Sequence, residues 1–401
     1  MAAASTEAAV AHIYKHRYSD EQMADMAMRD HPRYAMLDKP EGFTGDGFYY
    51  AMDYGDPQGI SGDFATAQAN AASSKGKQLF MTTRQKYMVC TIDGIAMLKA
   101  RDSVGAFRKL VTDESDKAIR GLGANLAFDA YRTGNGMRGR VRSINGNILT
   151  LYTADDVRNF YVGMTLIGDD VITGASPNVG TCAVTKISRP AGTITVSTVA
   201  SANIIADNYL FRQGDPGTCI DGIALHIPLT APSSGESFRG IDRSDEEQLL
   251  SGFRLDDSAT PLEENIALCL VNTRTYSSAG SEQVCYANPL KVFDVVRRGN
   301  GTVERDNAGG TLTWGFDSVN VITNYGRCKL ISDPDCPPDR AYICSPADEE
   351  LRRIDEITHI IRDDGKPSLR LAAADGIEIR GRSVSNYAIR RPGAFAVMSV
   401  A

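Results

Sequence analysis

The stretch GFDSVNVITNYGRCKLISDPDCPPDRAYICSPADEELRR, residues 315–353, contains the clearest pattern of strands and turns in this sequence. Three short segments in it, 319–323, 327–332 and 341–345, are rich in apolar and β-branched residues, which predicts β-strands. Glycine separates the first two segments, and a run of aspartate and proline precedes the third, as is typical of turns. The charged residues that follow predict a helix over about 346–361.

Helices are predicted on the N-terminal side of this stretch. Asn288 and Pro289 predict the start of a helix that Gly299 ends, because asparagine caps helices and proline is tolerated in the first turn. The segments 244–247 and 260–263 both fit the capping box, so a helix is expected at each, the second with Pro261 at its first position. The chain closes with two extended segments, 376–389 and 393–400.

The first 45 residues are rich in alanine, methionine and charge, which indicates helical fragments. Ser19 and Asp20 can cap a short helix through Met28. His31 and Pro32 are expected to end it, because the residue before a proline disfavours the helical region.

From 48 to about 77 the chain is poor in large apolar residues, so we expect it to be disordered or held by a partner. Order returns over 79–92, where alternation predicts one long strand with Tyr87, Val89 and Thr91 on one face and Met88, Cys90 and Ile92 on the other. Thr112 can cap a helix that runs to Arg132, before Gly134 and Gly136. One stripe of that helix is apolar, formed by Ile119, Leu122, Leu126 and Ala130.

Residues 138–213 change character to valine, isoleucine, threonine and glycine. VRSINGNILTL is a strong hairpin signal, because Asn145-Gly146 supplies the positive φ angles of a tight turn. TKISRPAGTITVST predicts a second hairpin. These residues therefore predict a small all-β insert.

Composition excludes several classes of protein. The 401 residues carry 43 basic and 50 acidic side chains, a net charge of -7, which argues against general nucleic-acid affinity. No apolar run approaches the roughly twenty residues of a membrane-spanning helix, so no membrane partner is expected. The 8 cysteines lack the paired spacing of a zinc site and are expected to be reduced and mostly packed.

The search for catalytic motifs is negative. The G-x-G-x-x-G match at 134–139 follows a helix and precedes a hairpin, the reverse of a dinucleotide site. The lysines of the segment 75–77 lack the glycine and hydroxyl residue of a phosphate-binding loop. An enzyme that uses His226 or His359 with nearby acids stays open as one alternative, although no motif supports it.

The order of elements resembles the major capsid protein family of tailed bacteriophages, which has the Hong Kong 97 type shell fold. YANPLKVFDVVRR (286–298) is similar to that family's asparagine-proline helix start, and the stretch 315–353 to its recurring strand-turn-strand run. The closing NYAIRRPGAFAVMSV (386–400) resembles its last strand. The resemblance covers about 46–401, outside the insert.

The resemblance implies an α+β fold with an inserted all-β domain. Its parts would be an N-terminal arm (1–45), an extended loop (46–93), a peripheral domain with a long spine helix (94–137), the insert (138–213), a connection (214–239), an axial domain (240–372) and return strands of the peripheral domain (373–401).

The extended loop would lie on a neighbouring subunit, where its few apolar residues, Phe64, Leu79 and Phe80, are satisfied in trans. Some family members cross-link a loop lysine to an asparagine of the neighbour. Lys75 and Lys77 are the only lysines near that place, and no matching motif accompanies them. These five residues are the candidates for contacts between subunits.

The resemblance implies a subunit that self-assembles as hexamers and pentamers into the icosahedral head of a tailed phage. That head would enclose double-stranded DNA without sequence-specific binding. The chain would be made in the bacterial cytoplasm and end in the virion. Scaffolding, portal and decoration proteins are further implied partners, and neither a cofactor nor enzymatic activity is expected.

Two questions stay open. An encapsulin-like shell protein of a cellular compartment has the same fold and differs by its cargo. The insert could decorate the outer surface, steer folding and assembly, or be a surface graft, and its composition fits all three.

Overall fold

The computed structural model describes most of the chain, in two compact units. The described residues are 30–42, 47–55, 58–96, 104–175, 177–178, 180–199, 203–235, 237–277, 282–298, 303–306, 318–323, 326–354, 359–361, 369–371 and 374–400. The first unit comprises Met1–Phe128 and His226–Ala401, and the second comprises Asp129–Leu225. The predicted helix from Ser19 to Met28 lies outside the described residues.

Helices and strands both contribute, so the α+β class predicted from the sequence is confirmed. The helices are α1 (Pro32–Met36), α2 (Phe64–Ala69), α3 (Val104–Ala130), α4 (Ile223–His226), α5 (Glu247–Ser251), α6 (Leu262–Thr273) and α7 (Pro289–Arg298). Short 3-10 turns cover Ala154–Asn159 and Pro392–Ala394.

The strands fall into two ribbons, two larger sheets and a barrel. In chain order they are β1 (Gly47–Gly55), β2 (Lys75–Thr82), β3 (Arg84–Asp93), β4 (Met137–Asn145), β5 (Ile148–Leu151), β6 (Thr165–Asp169), β7 (Cys182–Ser188), β8 (Thr193–Val196), β9 (Tyr209–Arg212), β10 (Ser237–Phe238), β11 (Ile241–Asp242), β12 (Phe253–Leu255), β13 (Val284–Ala287), β14 (Val303–Asp306), β15 (Ser318–Thr323), β16 (Gly326–Ser332), β17 (Arg340–Cys344), β18 (Glu349–Arg353), β19 (His359–Ile360), β20 (Leu369–Arg370), β21 (Gly376–Ile389) and β22 (Ala396–Ser399).

A seven-stranded sheet in the first unit has the order β12-β22-β17-β13-β16-β15-β14. It contains the three strands predicted from the stretch 315–353. Helices α6 and α7 contribute Ile266, Leu270 and Val295 to its core. Asn288 caps α7 as predicted, since its side-chain oxygen accepts a hydrogen bond from the Leu290 N–H at 3.1 Å.

The predicted helix over 346–361 is wrong. Residues 349–353 form β18, which pairs antiparallel with β21, so that Glu349 lies opposite Ile389. Strand β21 also pairs with β3, β19 and β20, as one long strand at the centre of the second sheet. The tertiary pairing with this strand overrides the local preference of the glutamates and arginines for helix.

The one long strand predicted over 79–92 is divided in two. Strand β2 ends at Thr82 and β3 begins at Arg84, and they pair with different partners, β1 and β21. The predicted faces of the second part are correct, because Met88, Cys90 and Ile92 are buried. Tyr87 and Val89 are exposed.

Helix α3 is longer than predicted, because it begins at Val104 and not at Thr112. Its predicted apolar stripe is confirmed, with Ile119, Leu122, Leu126 and Ala130 all buried. The glycines that follow, Gly134 and Gly136, both have positive φ angles, as a helix stop requires.

Two predicted helix boundaries are wrong. Pro32 begins α1, a helix that was not predicted, because proline fits the first helical position. Helix α5 begins at Glu247 with Glu246 at its cap, so Ser244 is not the cap. Thr260 donates its hydroxyl hydrogen to Asp257 at 2.6 Å, while Pro261 takes the cap position of α6 without a side-chain bond.

The second unit contains a closed barrel in the order β4-β5-β8-β7-β6-β9. Both predicted hairpins are confirmed, as β4-β5 and β7-β8, and Gly146 has a φ of 59° in the first turn. The barrel has its own apolar core, which includes Val141, Leu166 and Ile194.

All eight cysteines lie in the described part of the chain, buried and without disulfides. Burial raises the pKa of Cys182 to about 11 and that of Cys269 to about 12. These thiols therefore stay protonated and act as small core residues.

Candidate assembly surface

Strands β1 and β2 form an antiparallel ribbon, whose alternation gives it two different faces. Phe48 pairs with Met81 and Tyr50 with Leu79 on one face. Tyr49 pairs with Phe80 on the other. Because successive side chains of a strand point to opposite sides, the ribbon can be buried on one face and open on the other.

We call residues 47–52 and 79–82 of the ribbon its base. The inner face of this base packs on its own chain. Phe48, Tyr50, Met52, Leu79 and Met81 form a buried cluster with other residues of the first unit, namely Ile241, Leu250 and Ala388. Leu79 is completely buried there. It is therefore satisfied within its own chain, and not in trans as the resemblance implied.

The expectation that residues 48 to about 77 are disordered or held by a partner is wrong for 48–52, whose inner side chains are buried in their own chain. Apolar or aromatic side chains recur with a period of two at Phe48, Tyr50 and Met52, and this strand signal was missed. Register places their inner side chains beside the apolar end of β2.

The outer face of the base presents an aromatic pair. The rings of Tyr49 and Phe80 lie 4.9 Å apart between centroids. Their exposed fractions are 66% and 39%. Phe80 is therefore available to a partner, as implied, and Tyr49 is an exposed neighbour that sequence reasoning missed.

Between the two parts of the base, none of the described residues 53–55 and 58–78 has a buried side chain. Phe64 is 80% exposed and Ile60 is 87% exposed. We call the described residues 58–78 the distal arm.

The tip of the distal arm keeps its shape through local hydrogen bonds. Asp63 caps α2, because its carboxylate accepts the Thr66 N–H at 3.0 Å and the Thr66 hydroxyl at 2.9 Å. These hydrogen bonds lower the pKa of Asp63. The cap fixes the start of α2, so that Phe64 is presented at its first position.

The two candidate lysines have different surroundings. Lys77 donates a hydrogen bond to the carbonyl oxygen of Gly240 in the same chain. Lys75 lies opposite Gly55 at the outer end of the paired strands and is exposed. Lys77 thus contacts a residue of the same chain outside the ribbon.

A second anchored segment precedes the ribbon, and sequence reasoning missed it. The Arg33 guanidinium is completely buried and donates to the Glu349 carboxylate at 2.9 Å. The Tyr387 hydroxyl donates to the same carboxylate oxygen at 2.6 Å. The Leu351 N–H donates to the Asp38 carbonyl oxygen at 2.8 Å, and bridges pair Asp38 with Glu350 and Glu41 with Arg353, so residues 38–41 run beside β18. We call residues 30–42 the strap.

His226 does not have the surroundings of a catalytic base. It is buried edge-on between the rings of Phe238 and Tyr387, at 5.6 and 5.5 Å. Burial lowers its pKa well below the usual value, and the positive charges of Arg239 and Arg243 add to this effect. The imidazole is thus a neutral packing group at physiological pH.

His359 is half-buried in β19, where it pairs with Arg382. Within the described residues no three histidine, cysteine, aspartate or glutamate side chains are grouped so as to hold a metal ion. No helix in the described part of the chain is long and apolar enough to cross a bilayer.

Comparisons with known proteins give structural neighbours only. No family model and no curated protein matches the sequence. The chain is similar to a cyanophage A-1(L) capsid protein, with 11% identity and a TM-score of 0.49 over 92% of both chains.

Two further neighbours are also shell proteins. The capsid protein of an empty GTA particle has 9% identity and a TM-score of 0.45, over 93% of this chain and 96% of that one. The SrpI encapsulin of Synechococcus elongatus PCC 7942 has 7% identity and a TM-score of 0.46, over 92% and 88%.

Proposed function

We propose that this chain is the repeating subunit of a closed icosahedral shell, the head of a tailed phage. The observation that carries the proposal is the distal arm, in whose described residues not a single side chain is buried. The arm displays large apolar residues at its tip.

An isolated two-stranded ribbon is marginally stable in water, so the distal arm needs an apolar partner. The ribbon base already packs on its own chain, and this fixes the direction in which the arm leaves the unit. An arm that binds a different surface of the next copy makes a heterologous contact, and such contacts generate closed rings.

Rings of five and six copies account for a closed shell of one subunit type. The further partners follow from that role: scaffolding, portal and decoration proteins, and the enclosed double-stranded DNA. A net charge of -7 fits a wall that confines DNA without gripping it. The mature subunit would reside in the virion, after synthesis in the host cytoplasm, and would need no enzymatic activity.

The direct experiment removes the arm and retains its base. Deleting residues 58–74 shortens the tip and leaves β1, β2 and their buried cluster in place. We expect a soluble subunit with an unchanged melting temperature that forms no shells by negative-stain microscopy and mass photometry. A matched control replaces residues 70–74, which contain no large apolar side chain, with glycine and serine, and should still assemble.

Intact shells from the deletion variant would overturn the role of the arm. A wild-type chain that stays a small oligomer even with a scaffolding protein supplied would overturn the shell itself. The contents of the particles decide between the two kinds of shell, because a phage head holds nucleic acid and an encapsulin-like compartment holds protein.

A further inference from the structure

The surface of the barrel carries a cluster that neither the barrel core nor shell assembly explains. The Arg140 guanidinium lies over the rings of Tyr152 and Tyr209, at 4.9 and 5.2 Å from their centroids. It also pairs with the Asp207 carboxylate at 3.2 Å. Tyr152 donates its hydroxyl hydrogen to the same carboxylate oxygen at 2.6 Å.

The cluster is at the surface, so it adds little to the stability of the barrel. The side chains of Arg140 and Asp207 are 42% and 59% exposed. Exposed ion pairs of this kind contribute little to the free energy of unfolding. Tyr152 is 51% exposed. Ile205, which lies two residues before Asp207 in the sequence, is 62% exposed.

The loop that presents Asp207 is strained and fixed. Among the described residues only three other than glycine have a positive φ, and two of them, Asn203 (46°) and Asp207 (70°), lie in this loop. Asn178 donates to the Asn203 carbonyl at 2.9 Å, and Asn208 accepts the Ile205 N–H at 2.9 Å. Strain that the surrounding contacts maintain is concentrated at functional sites in proteins.

The cluster leaves binding groups free on a rigid frame. The second carboxylate oxygen of Asp207 has no hydrogen-bond donor among the described residues. Arg142, two residues along β4, is exposed and forms no ion pair with any described residue. Arg140 and Arg142 both act electrostatically on Tyr152, so the site has two positive charges against one negative charge.

These groups match the chemistry of one class of ligand. The half-exposed Tyr152 ring offers an electron-rich face to the C–H groups of a pyranose ring. The free oxygen of Asp207 can accept sugar hydroxyl groups, and Arg142 can bind a carboxylate. We propose that this surface of the barrel binds an acidic saccharide, stacked on Tyr152 with its carboxylate on Arg142.

A nucleic acid is the other anionic partner that stacks on aromatic rings. Binding along a single strand uses several aromatic platforms and a positive groove that follows the backbone. Here one half-exposed ring and one unpaired guanidinium are available, which suits a single sugar residue better than a strand.

The proposal does not rest on the shell, because it concerns only the residues of the second unit. The test titrates the full chain with a galacturonic acid trimer, and with maltotriose as a neutral sugar of the same length. We expect the acidic trimer to bind and maltotriose to bind at least about tenfold more weakly. An oligothymidylate serves as the nucleic-acid probe.

Three variants distinguish the contributions of the Tyr152 ring and the Arg142 charge from the effect of substituting any exposed tyrosine of the same unit. Tyr152→Ala should weaken binding of the acidic trimer at least about tenfold, since it removes the central stacking group. Arg142→Gln should weaken the acidic trimer and remove its advantage over maltotriose. Tyr161→Ala is the matched control, because Tyr161 is a tyrosine of the same unit with a similar exposure of 47%.

If Tyr152→Ala does not fold, Tyr152→Phe and Arg142→Gln still test the site. Tyr152→Phe keeps the ring and should retain most of the affinity. The proposal is overturned if the wild-type chain does not bind the trimer, if maltotriose binds equally, if Tyr161→Ala has the same effect as Tyr152→Ala, or if oligothymidylate binds more tightly.

Discussion

The strap (30–42) lies in the predicted N-terminal arm, and the distal arm (58–78) lies in the predicted extended loop. Their surroundings in the structure are opposite, since one is anchored by a buried side chain and the other is exposed. The strap is held by the completely buried Arg33, whose charge is matched inside the same chain by Glu349. The distal arm presents Ile60 and Phe64 to solvent with more than three quarters of each side chain exposed.

The difference shows where this chain supplies its own partner and where it does not. A charge as buried as that of Arg33 is tolerated only with a fixed counter-charge, so the strap and β18 must fold together. An exposed apolar tip has no such requirement in the free chain. The strap therefore belongs to the stability of the subunit, and the arm to its association.

Arg33→Met should cause the largest loss of stability. Among the described residues it leaves the buried Glu349 carboxylate with the Tyr387 hydroxyl as its one side-chain donor, and breaking a buried pair in this way costs about 4 kcal/mol. Urea denaturation measures the effect. Lys117→Met, which removes the exposed pair with Glu114, is the control and should change the free energy of unfolding very little. Similar losses in the two variants would contradict the assigned role of the strap.

Adjacent positions of the ribbon base provide the next test. Leu79→Ala should lower the free energy of unfolding by about 3 kcal/mol, because Leu79 is completely buried. Phe80→Ala, on the open face, should cost less than about 1 kcal/mol, although it removes the larger side chain. A greater loss for Phe80 would mean that the faces of the ribbon are assigned the wrong way round.

Elements whose signals are local could be predicted from the sequence. The turn at Asn145-Gly146 and the cap at Asn288 depend on residues within a few positions of each other, and both are present. The apolar stripe of α3 also follows from helical spacing alone.

Elements that depend on distant partners could not be predicted. Residues 349–353 have a helical composition, and only pairing with β21 makes them a strand. The burial of Arg33 cannot be inferred locally, because its partner Glu349 lies 316 positions away. For the candidate surface, the sequence indicated Phe64 and Phe80, but the satisfaction of Leu79 within its own chain required the register of β1 and β2.

One contact of the strap should have a smaller, pH-dependent effect on the free energy of unfolding. His31 and Asp335 form a contact of 2.5 Å. Burial works to lower the pKa of His31, but the hydrogen bond and charge of Asp335 outweigh it, and the pKa is raised. The contact therefore stabilises the fold fully below the unfolded pKa of 6.5, and the stabilisation is lost as the pH rises through the raised value.

His31→Asn should remove this dependence and cost about 1 kcal/mol at pH 6. Urea denaturation of the wild type and of His31→Asn is compared at several pH values below 8. Higher pH values are avoided, because burial lowers the pKa of Lys39 in the strap to about 8. A wild-type stability that rises more steeply than that of His31→Asn between pH 6 and 7.5 would contradict the sign.

Phe64→Ser should have the smallest effect on the subunit and a large one on its assembly. Phe64 is 80% exposed, so its loss should change the free energy of unfolding by less than about 0.5 kcal/mol. If the arm binds a neighbour, the same change removes a buried aromatic side chain from every contact in the shell. The concentration of subunit needed for assembly, measured by light scattering, should then rise at least about tenfold.

Phe293→Ser is a matched control, because Phe293 on α7 is 62% exposed and lies outside the arm. If both variants assemble like the wild type, the exposed tip of the arm has no partner, and its difference from the strap would then reflect only solvent exposure.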